Sequence, residues 1–207
     1  MSEIVTEVGK VGIVGCGTMG SGIAEIVARH GLPVVFVELD DGSVERGNAR
    51  IAGSLDRHVA RGKLEETERD AIAGRISGST DWSTLSDCDL IIEAVPEVLS
   101  IKQDTFRRID EVAREDAILA TNTSSLPVMD IAVVSRRPNR VLGFHFFNPA
   151  PVMKLIELVR TVVTDEHVVE TARGFAESIG KSPVVVGDRR GFIANQLLFP
   201  YLNQAVW

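Results

Sequence analysis

The 207-residue chain has few cysteines, few aromatic side chains and no excess of basic charge. Its two cysteines, Cys16 and Cys88, exclude a scaffold of several disulfides and a zinc site built from four thiolates. The 22 basic side chains are outnumbered by 29 acidic ones, so the protein lacks the positive surface that general binding to nucleic acid requires. We therefore expect no nucleic-acid partner and no metal centre.

Long apolar runs are also missing. No stretch approaches the roughly 20 consecutive apolar residues that a membrane-spanning helix needs. Residues 1–7 contain two glutamates and no lysine or arginine, unlike the basic start of a signal peptide. The small number of cysteines and the acidic N-terminus predict a protein of the cytoplasm that binds no membrane.

Glycine, by contrast, is abundant, with 18 residues, and 44% of the chain is hydrophobic. Such a composition can fill a sizeable core and supplies glycine for tight turns. Apolar runs at 10–14 and 34–38 predict two strands, and residues 18–30 between them have small and apolar side chains at helical spacing. A strand, a turn, a helix and a strand within about 30 residues form a βαβ unit, which predicts a parallel sheet with a right-handed crossover.

The rest of the chain continues this alternation of strands and helices. Further strands are predicted at 90–93, 118–121, 140–145, 155–159 and 183–186, and helices at 41–74 with a break at Gly62, 97–114, 125–134 and 165–179. The predicted fold class is therefore α/β, a Rossmann-type, mostly parallel sheet with helices on both faces. We assign residues 1–187 to this domain.

A glycine-rich turn lies between the first predicted strand and the helix that follows it. The turn matches the dinucleotide-binding pattern G-x-G-x-x-G with Gly15, Cys16, Gly17, Thr18, Met19 and Gly20. The first glycine permits a tight turn, the second lets the backbone approach a pyrophosphate, and the third lets the helix lie close to the strand. Free N–H groups at the start of the helix then attract the phosphates. The alternative is a strand-to-helix turn without a ligand.

Glu38 strengthens the dinucleotide interpretation. It ends the second predicted strand, 23 positions after Gly15. An acidic side chain at this place accepts hydrogen bonds from the adenosine ribose hydroxyls and repels a 2′-phosphate. No arginine directly follows Glu38, so we expect NAD rather than NADP as the cofactor. The alternative is an ordinary acidic strand end.

Four short strings follow the glycine turn along the chain. They are Glu-Ala-Val-Pro-Glu at 93–97, Asn-Thr-Ser-Ser-Leu at 122–126, His-Phe-Phe-Asn-Pro at 145–149 and Gly-Phe-Ile-Ala-Asn at 191–195. From about Val8 to the end, the chain resembles the NAD-binding domain of the L-3-hydroxyacyl-CoA dehydrogenases. The resemblance implies NAD as cofactor, an acyl-CoA as partner, and reversible oxidation of a short-chain substrate such as 3-hydroxybutyryl-CoA to the 3-oxoacyl-CoA.

The roles of two residues in this region can be argued from their side-chain chemistry alone. His145 ends a predicted strand at the edge where parallel sheets bind ligands, and imidazole accepts and returns a proton near neutral pH. Glu157, on the next strand candidate, can orient that imidazole. The family uses a His–Glu pair, which maps onto these two residues. The alternative for a lone histidine is a structural role, and His30, His58 and His167 are predicted to be surface residues.

The resemblance also assigns roles to five other polar residues. Ser124 and Asn195 would position the reacting oxygen, and Ser124 would touch both cofactor and substrate. Glu97, Lys102 and Asn148 would contact the cofactor. The alternatives are a helix N-cap for Ser124, an ordinary helical amide for Asn195 and a turn residue for Asn148. For Glu97 and Lys102 the alternative is a pair of surface helix charges.

Ser54 and Arg61 lie seven positions apart on a predicted polar helix, two turns along one face. By resemblance they could hold the adenylate phosphates of CoA. The alternative is a solvated helix face without a ligand.

The end of the chain differs from the family pattern. Many members carry Pro before the Gly-Phe-Ile segment and Arg after its Asn, where this chain has Arg190 and Gln196. The family continues into an all-α domain that covers the substrate and forms a dimer, and residues 188–207 are predicted to begin the helix leading to it. Apolar residues on several faces of this segment are Phe192, Ile193, Leu197, Leu198, Phe199, Tyr201, Leu202, Val206 and Trp207. We expect a second copy in a homodimer, or the helical domain of a longer enzyme, to cover them.

Two other functions stay open. Relatives with the same His-Phe-Phe-Asn-Pro string oxidise a CoA-free hydroxy acid such as L-gulonate. Other relatives are non-enzymatic NAD-binding proteins that serve as lens crystallins. The presence of His145, Glu157, Ser124 and Asn195 together favours an active enzyme.

Overall fold

Eight strands form one sheet in the computed structural model, which describes residues 7–206. The strands are β1 Val11–Val14, β2 Val34–Val37, β3 Ile76–Ser79, β4 Leu90–Glu93, β5 Ile118–Thr121, β6 Val141–Phe146, β7 Leu155–Arg160 and β8 Ser182–Gly187. The α-helices are α1 Thr18–Arg29, α2 Asp41–Ala60, α3 Glu66–Ala73, α4 Leu99–Val112, α5 Val128–Ala132, α6 Glu166–Ser178 and α7 Ala194–Ala205. Trp207 and most of the predicted N-terminal tail lie outside the described residues.

The order of the strands creates a crevice in the middle of the sheet. The order is β3-β2-β1-β4-β5-β6-β7-β8, so the chain moves outward from β1 in one direction and then continues from β4 in the other. Strands β1 to β6 are parallel, β7 is antiparallel to β6, and β8 is parallel to β7. This is the predicted mostly parallel α/β sheet. In such sheets ligands bind beyond the carboxyl ends of the strands, at the reversal between β1 and β4.

The central strands are buried on both faces because helices cover the sheet on both sides. Every residue of β1, β2, β4 and β5 is buried. Successive side chains point to opposite faces, so Ile13 and Phe36 join one apolar cluster while Val14 and Val37 join the other. Double coverage explains why these strands appear in the sequence as continuous apolar runs.

Three elements differ from the prediction. Strand β3 was missed because it is an edge strand with the sequence Ile-Ser-Gly-Ser and has no apolar run. A Cβ atom at Gly78 would lie 2.4 Å from the Phe36 ring, so packing requires a small residue there. The helix predicted over 97–114 begins only at Leu99, and the helix predicted over 125–134 spans only Val128–Ala132.

The predicted break at Gly62 is confirmed. Gly62 has φ 63°, and it separates α2, which ends at Ala60, from α3. The left-handed backbone at this position favours glycine. Arg61 is therefore the C-cap of α2 rather than a residue on its face, which corrects the predicted two-turn relation to Ser54.

Helix α7 leaves its apolar side chains in contact with solvent. Of its described residues none is buried, and Leu197, Phe199 and Tyr201 are 69%, 61% and 70% exposed. Phe192 precedes the helix and, unlike the helix residues, is buried. Within residues 7–206, no helix is both long enough and apolar enough to cross a membrane.

Candidate active site

The glycine turn has the geometry that a dinucleotide requires. Gly15 has φ 91°, a left-handed conformation that favours glycine. A Cβ atom at Gly20 would lie 1.9 Å from the carbonyl oxygen of Gly15, so only glycine lets α1 begin this close to β1. A Cβ atom at Gly17 would meet no protein atom within 4 Å, so this side of the turn is open. The three glycines thus fit the three roles predicted for them.

The start of α1 offers backbone donors at the same place. Gly17 is its N-cap, and among the described residues no side chain caps this end. Thr18 and Met19 form the first positions of the helix. Uncapped N–H groups at a helix start attract phosphate, so this end fits the pyrophosphate of a dinucleotide.

Glu38 lies against the glycine turn. Its Oε1 accepts a hydrogen bond of 2.6 Å from the Cys16 N–H, which places the carboxylate beside the expected ribose. A basic residue also lies near the turn, and the sequence analysis did not identify it because it does not directly follow Glu38. Arg50 on α2 donates through Nη1 to the carbonyl oxygen of Cys16 at 3.5 Å. The turn therefore has both a carboxylate and a guanidinium at its rim.

His145 and Glu157 form a buried pair because β6 and β7 run antiparallel. The two residues are partners in the strand register, and His145 Nδ1 lies 2.8 Å from Glu157 Oε2. The residues are only 4% and 2% exposed. A carboxylate accepts hydrogen bonds, so in the neutral imidazole Nδ1 carries the hydrogen and Nε2 has the lone pair. Across residues 7–206, no protein group bonds Nε2, which is left available for a proton from a ligand.

Glu157 also has a second set of contacts. Its Oε1 accepts hydrogen bonds from the Ile193 N–H at 3.0 Å and the Ala194 N–H at 2.9 Å. Ile193 is the N-cap residue of α7 and Ala194 is its first residue, so the same carboxylate holds His145 and caps α7.

Two aromatic rings contact the imidazole of His145. The ring centroid of Phe147 lies 4.6 Å away at an interplanar angle of 50°, and that of Phe192 lies 5.4 Å away at 59°. Phe147 follows β6 directly, whereas Phe192 arrives from the segment before α7. The imidazole is thus fixed by packing as well as by its bond to Glu157.

The loop with Ser124 reaches the start of α7. Asn195 Nδ2 donates to the Ser124 carbonyl oxygen at 3.2 Å, across 71 positions of sequence. The alternative role of Ser124 as a helix N-cap is wrong, because α5 begins only at Val128 and its N-cap position is Pro127. The Ser124 side chain is exposed, and none of the helices described for residues 7–206 has it as a cap.

A buried network of charged side chains lies next to the Ser124 loop. Lys102 is 1% exposed, and its Nζ lies 2.8 Å from Glu93 Oε1 and 3.3 Å from Glu97 Oε2. Glu93, which is fully buried, also accepts a bond of 2.7 Å from the Thr121 hydroxyl. Lys102 is therefore not a surface helix charge. The sequence analysis did not identify Glu93 as a site residue. The signal was available, because Glu93 is an acidic residue at the end of an apolar strand, as Glu38 is.

Glu97 joins this network to the Ser124 loop. It precedes α4, and its Oε1 accepts bonds from the Thr123 hydroxyl at 2.6 Å and the Ser124 N–H at 2.8 Å. Partial burial alone would raise the pKa of Glu97. The bond from Thr123 and the charge of Lys102 outweigh that effect, so the pKa lies below its usual range.

The other predicted site residues stand apart from this centre. Asn148 is exposed in the turn after β6. Ser54 is half-buried on α2, where its carbonyl oxygen bonds His58 Nδ1 at 2.9 Å, and Arg61 is exposed. In the described residues, no hydrogen bond or ion pair joins Asn148, Ser54 or Arg61 to the residues around His145.

Cysteine and metal chemistry do not fit the described residues. Burial raises the pKa of Cys16 to about 12, helped by the nearby Glu38 charge, and burial likewise raises the pKa of Cys88 to about 12. Neither thiol is a thiolate near neutral pH, so neither serves as a nucleophile. Over residues 7–206, no three His, Cys, Asp or Glu side chains form a group that could hold a metal ion.

Comparison with known proteins places this site in a family of dehydrogenases. Residues 10–189 match the family model described as "3-hydroxyacyl-CoA dehydrogenase, NAD binding domain". A protein named 3-hydroxybutyryl-CoA dehydrogenase from Mycobacterium tuberculosis is 48% identical over 199 residues, which cover 95% of this chain and 70% of that protein.

Solved structures show the same likeness. The crystal structure of FadB2 from M. tuberculosis has a TM-score of 0.95 and 47% identity, covering 97% of this chain and 71% of that one. The crystal structure of (S)-3-hydroxybutyryl-CoA dehydrogenase PaaH1 from Ralstonia eutropha has a TM-score of 0.94 and 40% identity, covering 96% of this chain and 70% of that one. This chain therefore belongs to the 3-hydroxyacyl-CoA dehydrogenase family and contains its NAD-binding domain.

Proposed function

We propose that this protein catalyses the reversible, NAD-dependent oxidation of a short-chain L-3-hydroxyacyl-CoA, such as 3-hydroxybutyryl-CoA, to the 3-oxoacyl-CoA. The observation that carries the proposal is the buried His145–Glu157 pair at the same sheet edge as the glycine turn. Ser124 and Asn195 lie together beside it. The family and the names of the relatives supply the substrate class.

In this proposal His145 is the general base. Its Nε2 takes the proton of the substrate hydroxyl during oxidation and returns it during reduction. Glu157 keeps the hydrogen on Nδ1 and stabilises the imidazolium that forms. Ser124 and Asn195 hold the reacting oxygen in line with the base. The nicotinamide, when NAD is bound, supplies the hydride acceptor.

NAD fits the residues present at the turn. Gly15, Gly17 and Gly20 would let the backbone approach the pyrophosphate, the start of α1 would donate to it, and Glu38 would accept hydrogen bonds from the ribose. We further propose that Glu97 and Asn148 contact the cofactor. Lys102 was predicted to contact the cofactor as well, but it is only 1% exposed, so we propose instead that its charge acts on the cofactor site through Glu97.

The direct test is oxidation of NADH by the purified chain with acetoacetyl-CoA, followed by absorbance. We expect turnover with acetoacetyl-CoA and far less with acetoacetate, which lacks CoA. Turnover of L-gulonate with NAD but none of acetoacetyl-CoA would instead identify a dehydrogenase of free hydroxy acids. Binding of NAD without turnover of any of these substrates would identify a non-enzymatic relative.

We also propose that Ser54 and Arg61 bind the adenylate phosphates of CoA. Arg61 is exposed at the end of α2 and free to reach a ligand phosphate, which suits a guanidinium. Arg61→Ala should raise the KM for acetoacetyl-CoA several-fold and leave the affinity for NAD unchanged. Arg173→Ala is a matched control, because Arg173 is also partly exposed on a helix but pairs with Glu170 on α6. An unchanged KM in Arg61→Ala would contradict the assignment.

The surface of α7 supports a homodimer. We propose that residues 1–187 form the NAD-binding domain and that 188–207 begin a linking helix. Two copies pair through this helix, unless the helical domain of a longer enzyme covers the same surface. The support is the exposed apolar surface of α7, which a soluble monomer avoids. Light scattering of the chain should give twice the monomer mass. Leu197→Glu should shift that mass to the monomer, and a monomeric wild-type chain at high concentration would contradict the proposal.

We place the protein in the cytoplasm. Both cysteines are free and buried, as is usual in a reducing compartment. Fractionation of cells that produce the tagged protein should recover it with cytoplasmic markers.

A further inference from the structure

The segment between β8 and α7 folds back across one face of the sheet. Gly187, the last residue of β8, is level with Arg160 in β7, three positions beyond Glu157. Only six residues later, the Ile193 N–H bonds the Glu157 side chain. The chain must therefore reverse its direction between these two points, close to the His145–Glu157 pair.

The reversal takes place at two consecutive left-handed residues. Gly191 has φ 75° and Phe192 has φ 51°, and Phe192 is the only such residue other than glycine in the described part of the chain. The Phe192 N–H closes the turn by donating to the carbonyl oxygen of Arg189 at 2.8 Å. This backbone turns the next two N–H groups, those of Ile193 and Ala194, onto Glu157.

The side chain of Phe192 explains why a residue other than glycine occupies this position. Glycine would adopt the left-handed backbone without the steric conflict that a Cβ atom brings. Phe192 is 2% exposed and belongs to the apolar cluster that includes Val159 and Val186. Its ring also contacts the imidazole of His145. The ring adds a contact to His145 that glycine could not make.

We propose that Phe192 is a positioning residue for the His145–Glu157 pair. Its ring fixes the plane of the imidazole, and its left-handed backbone aims two N–H groups at Glu157. Phe192 touches neither substrate nor cofactor in this role, since it acts through the other two residues. The proposal rests on the proposed function of His145 as the base, but the orientation of His145 can be measured without any substrate.

Two variants separate the ring from the backbone. Phe192→Gly removes the ring and permits the left-handed turn, whereas Phe192→Leu keeps an apolar side chain without a flat ring. Phe175→Leu is the matched control, because Phe175 is 4% exposed on α6 and its ring contacts Phe144 rather than His145. The three variants are compared as the full 207-residue chain, by thermal unfolding and by NMR of the imidazole nitrogens.

In wild type we expect a single His145 tautomer, with the hydrogen on Nδ1 bonded to Glu157. In Phe192→Gly the tautomers should mix and the bonded hydrogen should exchange faster with water. The kcat for acetoacetyl-CoA should fall roughly 10- to 100-fold, while KM and NAD affinity stay within about twofold, because misorientation of a base affects the chemical step. Phe192→Leu should be intermediate. Phe175→Leu should lower the unfolding temperature but leave the His145 signals unchanged.

Unchanged His145 signals in both Phe192 variants would overturn the proposal, and so would an equal change in Phe175→Leu. If Phe192→Gly does not fold, Phe192→Leu decides. If neither folds while Phe175→Leu does, Phe192 is a core residue and the proposal fails. A finding that His145 is not the base would overturn the proposed function, yet the NMR comparison would still show whether Phe192 orients the imidazole.

Discussion

The dinucleotide half and the acid–base half of this site are built in opposite ways. The dinucleotide half is one continuous stretch, from β1 through the glycine turn and α1 to the end of β2. Within that stretch, the hydrogen bond between Cys16 and Glu38 spans 22 positions. The acid–base half is assembled from distant segments, and its contacts span 12 positions for His145–Glu157 and 71 for Asn195–Ser124. A local motif identifies the first half, whereas the second exists only when the sheet is formed.

The two halves also differ in burial. Glu38 is half-buried at an open turn, whereas His145 and Glu157 are buried and hydrogen-bonded to each other. Removing a partner from a buried polar group leaves that group unsatisfied, which costs more than the same change at an exposed site. Substitutions in the acid–base half should therefore have larger effects than those at the glycine turn.

The largest effect should come from His145→Gln. Loss of a general base reduces the rate roughly 10²- to 10⁴-fold, and this variant should keep normal NAD affinity because the base acts on the substrate proton. His167→Gln, which changes a partly buried histidine on α6, is the control and should keep full activity. Steady-state rates and calorimetry measure both quantities. More than about a tenth of wild-type activity in His145→Gln would mean that another residue is the base.

The next largest effect should be the loss of stability in Lys102→Met. This change leaves the buried carboxylate of Glu93 without its cation, and breaking a buried ion pair from one side costs about 3–5 kcal/mol. Urea unfolding measures the free energy of unfolding, with Lys63→Met, at an exposed position, as the control. A loss below about 1 kcal/mol would show that Lys102 contributes no more than an exposed pair.

A smaller effect is expected at the glycine turn. Glu38→Gln should narrow the preference for NAD over NADP by about tenfold, or about 1.4 kcal/mol, because the amide no longer repels a 2′-phosphate. Calorimetric titration with both cofactors measures the ratio, and Glu45→Gln on the exposed side of α2 is the control. Tighter binding of NADP than NAD by the wild-type chain would make Arg50, rather than Glu38, the residue that sets cofactor choice.

The smallest effect should be the contribution of Glu97 to the pH dependence of the free energy of unfolding. Its pKa is lower in the folded protein than the unfolded value of ~4.3, because its carboxylate accepts bonds from Thr123 and Ser124. This stabilisation is therefore complete above the unfolded pKa and is lost as the pH falls through the folded pKa. Solvent screening keeps the amount small, because the side chain is 40% exposed. Urea unfolding across this range should show a shallower pH dependence in Glu97→Gln. An identical pH dependence in both proteins would contradict the assignment.

Several features followed from pattern alone. The apolar runs at β1, β2, β4 and β5 predicted these strands within one residue at either end, because strands buried on both faces consist of nearly continuous apolar residues. The glycine turn and Glu38 could be located for a similar reason, since both depend on residues that are neighbours along βαβ. His145 and Glu157 were paired with the help of a family resemblance, and the antiparallel register of β7 is what brings them to 2.8 Å.

Other features depend on packing that no local pattern encodes. The short helix α5 could not be predicted because Glu97 binds the N–H groups of Ser124 and Ser125 from 27 and 28 positions away and keeps their loop out of the helix. Lys102 lies in a polar helical sequence, yet it is buried and pairs with Glu93 at the end of β4. Local spacing thus determined the central strands, the glycine turn and the sheet edge. The charges that are buried, and the turn at Phe192, were decided by contacts between segments that meet only in the folded sheet.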